Sequence, residues 1–208
     1  MNRIVKGGIL LIMLAIPVCI IIFLHSFGRN EYTLPVFYEN GLDVCNTTTA
    51  PHTIPDFSFF SPVAGKISSD VLEDRITVVN FFSAACKGEC PDIFDALANL
   101  QNNFSSDEPV KILSISAGLI LKDTLDAFVQ KYKSDPAKWL YLMEKQAKVR
   151  DLAQCGFGLD DTAEGHPLDT VVLVDHQKRI RGYYKIVDPK EADRLELEIR
   201  ILLRGLNT

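Results

Sequence analysis

No internal repeat and no low-complexity tract runs through the 208 residues, which excludes a repeat architecture. Basic residues are in the minority. Lys and Arg number 22 against 27 Asp and Glu, giving a formal net charge of −5 and a pI near 5.4. A nucleic-acid-binding surface wants the opposite balance. Five cysteines are too few for a disulfide-built scaffold. Nor is the composition that of a disordered chain, with 47% apolar and 24% charged residues. What remains is one domain of ordinary size plus an appendage.

Charge is also absent from Gly7 to Leu24, a stretch preceded by Arg3 and Lys6. About 18–20 apolar residues can cross a bilayer. The basic flank predicts a cytoplasmic N-terminus and an exported remainder. A cleaved signal peptide is the competing reading, since Ser26-Phe27-Gly28 offers small residues to a peptidase. The length of the run favours an uncleaved anchor. Either way the cysteines downstream face an oxidising compartment. Cys19, inside the run between bulky neighbours, reads as a buried apolar residue. The expected organisation is a cytoplasmic stub at 1–6, an anchor at 7–27, a tether at 28–53 and a domain at 54–208.

The domain is organised around Ile76 to Pro91. The β-branched, apolar Ile76-Thr77-Val78-Val79-Asn80-Phe81-Phe82 predicts a buried strand. Cys86 and Cys90 follow, then Pro91, then apolar residues at helical spacing (Ile93, Phe94, Leu97, Leu100, Phe104). Proline is tolerated only in the first helical turn, so the helix starts at or just before 91. A helix start leaves N–H groups unpaired and carries partial positive charge, which favours a thiolate. Residues four apart on a regular helix have Cβ atoms about 5–6 Å apart, too far for the roughly 3.5–4.5 Å of a disulfide. Cys86 is therefore expected in the loop, folded back towards Cys90. Such a pair suits reversible oxidation, or two thiolates gripping one soft metal ion. The plainer reading, two small core residues, fits the loop-to-helix context less well.

Around this centre, residues 52–59 alternate like an edge strand and Gly65 to Ser68 like its hairpin partner. Strands are expected at 110–116, 138–142, 170–175 and 179–185. Helices are expected near 124–132, at 145–155 with Gly156 or Gly158 closing it, and at 191–203. In that last helix Leu195, Leu197, Ile199, Leu202 and Leu203 lie mostly on one side. This alternation predicts an α/β, thioredoxin-like fold: a central mixed sheet flanked by helices, with an N-terminal β-hairpin and one N-terminal transmembrane helix.

His166, in the loop before the 170–175 strand, is the third candidate ligand. In a thioredoxin-like sheet that loop faces the cysteine helix; a solvated loop histidine is the plainer alternative. Asp160, Asp161 and Glu164 could orient its imidazole or simply face water. His25, His52 and His176 are given no role. Cys45 and Cys155 are either a structural disulfide between tether and domain or two independent thiols; the sequence does not decide.

With these pieces the chain resembles the Sco/SenC family: the N-terminal anchor, the strand followed by Cys86-x-x-x-Cys90-Pro91, and His166 before a later strand. Ile54-Pro55-Asp56-Phe57-Ser58-Phe59 and Ile180-Arg181-Gly182-Tyr183-Tyr184 also resemble segments of bacterial members. Lys87 stands where many members have proline, and Pro167 where they have Ser or Thr. The resemblance implies a metallochaperone on the bacterial inner membrane, single-pass, with its domain on the periplasmic side. It would deliver copper, as Cu(I) or Cu(II), to the binuclear centre of cytochrome c oxidase, or keep that centre's thiols reduced. Cys86, Cys90 and His166 would be the metal ligands. The partner would be the oxidase subunit bearing that centre, or another exported thiol protein. The alternative is a thiol–disulfide oxidoreductase, with Cys86 attacking and Cys90 resolving. A peroxide-reducing site would want Thr and Arg beside its cysteine; Ser83 is near, but no arginine is evident.

Overall fold

The computed structural model describes residues 12–23, 34–42, 45, 50–83, 85–159 and 169–206. Residues 12–23 are helical, and every one of them is exposed. Among the described residues no helix is long and apolar enough to cross a membrane. Both ends of the expected 7–27 span lie outside the described residues. Cys19 is a free, exposed thiol on this segment rather than a buried residue.

A separate compact unit begins at Leu34. It holds β1 (Ser58–Ser61), β2 (Gly65–Ser68), β3 (Ile76–Phe82), β4 (Val110–Ala117), β5 (Trp139–Glu144), β6 (Val171–Val174) and β7 (Ile180–Tyr184). Its helices are α1 (Cys90–Asn103), α2 (Lys122–Tyr132), α3 (Gln146–Asp151) and α4 (Pro189–Leu206). The strands form one mixed sheet in the order β2-β1-β5-β4-β3-β6-β7. β5, β4 and β3 run parallel; β6 lies antiparallel to β3 with Asn80 opposite Val171.

All seven residues of β3 are buried, as expected for a strand covered on both faces. Alternation sends its side chains to opposite sides. Ile76, Val78 and Phe82 join Ile93, Phe94 and Leu97 of α1, Leu125 of α2, and Leu195 and Ile199 of α4. Val79 and Phe81 join Ile54, Phe57, Leu72, Val149, Leu152 and Phe157 on the other side. Phe94 is fully buried and centres an aromatic cluster with Phe82, Phe128, Tyr132 and Trp139, at ring separations of 5.1 to 5.7 Å.

Several expectations shift. Only Ser58 and Phe59 of the 52–59 run enter the sheet, as the first half of β1, which pairs with both β2 and β5, so the edge is β2. Pro55 has no N–H to give a ladder, and Ile54 instead donates to the Lys178 carbonyl at 2.8 Å. The 145–155 helix divides into α3 and a π-type turn, Leu152–Gly156. Gly158 follows at φ +61°, where a Cβ would meet the Tyr38 hydroxyl at 2.5 Å, so only glycine fits. In α4, Leu197 is 60% exposed and faces away from the core.

The described residues between 34 and 53 do not hang free as a tether would. Leu42 and His52 are buried. The Phe37 amide donates to the Ile180 carbonyl at 2.9 Å, and Arg181 donates to the Leu34 carbonyl. Cys45 is bonded to Cys155, which resolves the alternatives left open for that pair. Arg181 is held in turn by Asp175, at 2.8 Å. Burial alone would raise the Asp175 carboxyl; hydrogen bonds from Arg179, Arg181 and the Gln177 amide outweigh it and hold it below the usual carboxylate range.

Candidate functional site

β3 delivers the chain to the site, and α1 receives it. The Cys86 amide donates back to the Ser83 carbonyl at 3.0 Å, closing a turn immediately after the strand. Cys86 itself sits at φ 37° and Gly88 at φ 68°. Left-handed backbone at a non-glycine residue is costly, and such strain collects at functional turns. The two kinks fold the loop onto the first residue of α1, with Pro91 in the opening turn. Cys86 and Cys90 are joined as a disulfide, their Cα atoms 5.2 Å apart. The expected arrangement, Cys86 in the loop and Cys90 at the helix start, is the one found.

Both cysteines are half-buried and rest against the α1 side of the core. Beside them opens a cleft of about 460 Å³, lined among others by Asn80, Ser83, Lys87, Glu89, Cys90 and Asp169. Asp169 arrives by register. Because β6 runs antiparallel to β3, the residues just before Val171 lie at the end of β3 that leads to the cysteines. Lys87 is the cation among the described lining residues, and no arginine is among them.

The remaining candidates fall elsewhere. His166, with Asp160, Asp161 and Glu164, lies outside the described residues. Among the described residues no group of three or more His, Cys, Asp or Glu side chains is arranged to hold a metal ion. His52, given no role from sequence, is buried and shares a 2.8 Å hydrogen bond with the Gly156 carbonyl, beside the Cys45–Cys155 bond. His176 lies in the β6–β7 turn, as expected. Two cleft residues escaped the sequence. Asp169 is placed by a long-range strand pairing, and Asn80 looked like one polar residue in an apolar strand.

Fold and cysteine pair together define a class: a thioredoxin-like protein whose central strand hands a Cys-x-x-x-Cys pair to a helix N-terminus. The AhpC/TSA family matches residues 51–191, and the chain belongs to that family. Solved structures add likenesses of fold. One is a SCO1/SenC family lipoprotein from Bacillus anthracis str. Ames, 19% identical, covering 73% of this chain and 95% of that one at a TM-score of 0.63. Another is BsSco, a member of the Sco family of cytochrome c oxidase assembly proteins in which a disulfide switch was identified. It is 18% identical over 73% of this chain and 94% of its own, at a TM-score of 0.62. A third is the thioredoxin domain of a thiol-disulfide oxidoreductase from Bacteroides vulgatus, 14% identical over 74% and 99%, at a TM-score of 0.53. No curated protein matches the chain. The Sco/SenC resemblance read from the residues thus has counterparts among similar folds.

Proposed function

We propose that this protein is a membrane-anchored metallochaperone of the Sco/SenC type, with its domain on the periplasmic side of a bacterial inner membrane. Its cargo is copper, and its target is the binuclear copper centre of cytochrome c oxidase. The observation that carries the reading is the Cys86–Cys90 pair, half-buried beside an open cleft at a helix start. When reduced, two adjacent thiolates make a soft donor set that suits Cu(I). The oxidised pair has no thiolate to offer, so redox state gates loading. His166 is the third ligand in this reading. Asp169, three positions later in sequence, lines the cleft, and three residues span at most about 11 Å. The exposed apolar helix at 12–23 supports an anchor continuing through 7–27.

The reduced chain, dialysed against Cu(I), should retain copper stoichiometrically. Cys86→Ala or Cys90→Ala should abolish retention, and His166→Ala should weaken it. Full retention by the double cysteine variant would sink the proposal.

One observation favours a second reading. The pair is joined as a disulfide, the state in which a thiol–disulfide oxidoreductase for exported proteins accepts a partner thiol. That reading predicts exchange with peptide thiols and indifference to His166→Ala.

A further inference from the structure

Asn80 has one arm of its carboxamide committed and the other unpaired among the described residues. It is 1% exposed, in the middle of the sheet. Its Oδ1 accepts a 2.5 Å hydrogen bond from the Ser114 hydroxyl. Ser114 in turn accepts from the Trp139 indole N–H at 2.8 Å. An indole N–H can only donate, so it fixes the sense of the chain: Trp139 to Ser114 to Asn80. The carboxamide is thereby oriented from two strands away, and Oδ1 is used. Nδ2 carries two hydrogens, is buried, and has no hydrogen-bond partner among the described residues. Buried donors are nearly always satisfied, and the exceptions call for a reason. Asn80 lines the same cleft as Cys90, Ile93 and Phe94. Nδ2 is the end of the carboxamide that Ser114 does not take up, and it belongs to a residue lining the cleft that Cys90 also lines.

We infer that Asn80 is a hydrogen-bond donor held in reserve for the Cys90 sulfur, made when the Cys86–Cys90 disulfide opens, so that it stabilises the reduced form of the pair. This deepens the thiol chemistry proposed above and rests on the pair being redox-active; it does not rest on copper. A reduced sulfur carries more negative charge than a disulfide sulfur and is the better acceptor. The step is exchange with a dithiol such as dithiothreitol. The Cys86–Cys90 S–S bond breaks and the S–S bond of the dithiol forms. Two electrons and two hydrogens pass from the dithiol to the two cysteines.

The test is equilibration of the full chain, in detergent and metal-free buffer, with graded mixtures of reduced and oxidised dithiothreitol. The state of the 86–90 pair is read by alkylation and mass spectrometry. Asn80→Leu should shift the equilibrium about tenfold towards the disulfide, about 30 mV more negative. It should also lower the urea midpoint of the reduced chain more than that of the oxidised chain, a split that a general packing defect would not give. Asn80→Asp keeps the shape and the Ser114 bond but loses the N–H donors. It should shift the pair in the same direction, and it serves if the leucine variant does not fold. Ser114→Ala, which frees the carboxamide to turn, should give a smaller shift of the same sign. A wild-type pair that titrates, with both Asn80 variants within twofold of it, would overturn the inference and leave the thiol chemistry standing. A wild-type pair that no dithiol mixture opens would overturn both.

Discussion

The Cα atoms of Cys45 and Cys155 lie 5.5 Å apart and those of Cys86 and Cys90 5.2 Å, and all four residues are half-buried. By Cα separation and exposure the two pairs hardly differ. Their sequence separations are 110 and 4. On the chain-entropy account, closing about 100 residues stabilises a fold by about 4.7 kcal/mol, and closing a handful by roughly 2 kcal/mol. Their settings differ too. Cys155 lies in the π-type turn behind α3, while Cys90 opens a fourteen-residue helix beside a cleft. The long-range bond fastens the segment after Leu34 to the domain. The short one constrains little and sits where a partner can reach it. The Cα separation therefore says less about a disulfide's role than the loop it closes and the surface it meets.

The largest way to break this comparison is chemical. Cys86→Ser with Cys90→Ser should remove thiol exchange and copper retention altogether, while Cys45→Ser with Cys155→Ser retains both; gel-filtered copper analysis and a thiol-exchange assay check it. The next is thermodynamic and runs the other way. Losing Cys45–Cys155 should cost about 2–5 kcal/mol by urea denaturation, clearly more than losing Cys86–Cys90. Beneath the short pair, Phe94→Ala should cost about 3–5 kcal/mol, because it empties the aromatic cluster on which α1 rests. A smaller effect is kinetic. Limiting dithiol should open Cys86–Cys90 first, with Cys45–Cys155 following more slowly, as timed alkylation would show.

The smallest effect concerns pH and the far end of the fastened segment. Asp175 has a lowered pKa in the fold, through Arg179, Arg181 and Gln177 overcoming its burial. Stability from such a carboxylate is fully present above its unfolded pKa of about 3.9. It is lost as pH falls from there through the lower folded value. The urea midpoint should therefore drop on acidification below about pH 4. In Asp175→Asn that component of the slope should be missing, against a lower midpoint at neutral pH.

Much of the fold was legible because its signals are local. The run from Ile76 to Phe82 has the composition of a doubly covered strand, and Pro91 marks a helix start without any tertiary knowledge. The mismatch between helical spacing and disulfide span placed Cys86 in the loop. What stayed hidden depends on pairings made across the chain. The Cys45–Cys155 bond spans 110 residues. Asp169 reaches the cleft only because β6 pairs antiparallel with β3. β1 became an inner strand because Phe60 meets Met143 of β5. Asn80 carried no periodic signal at all; its meaning lies in Ser114 and Trp139, each on a different strand.

The reversed direction of β6 has an engineering consequence. Its partners on β3 hold it from Thr77 to Asn80, so residues spliced in or cut out ahead of Asp169 need not disturb a single rung of the ladder. Asp169, which follows that connection, lines the cleft beside Cys90, so the connection can be exchanged for another as a cassette while the strands and helix that present the two sulfurs keep their pairing.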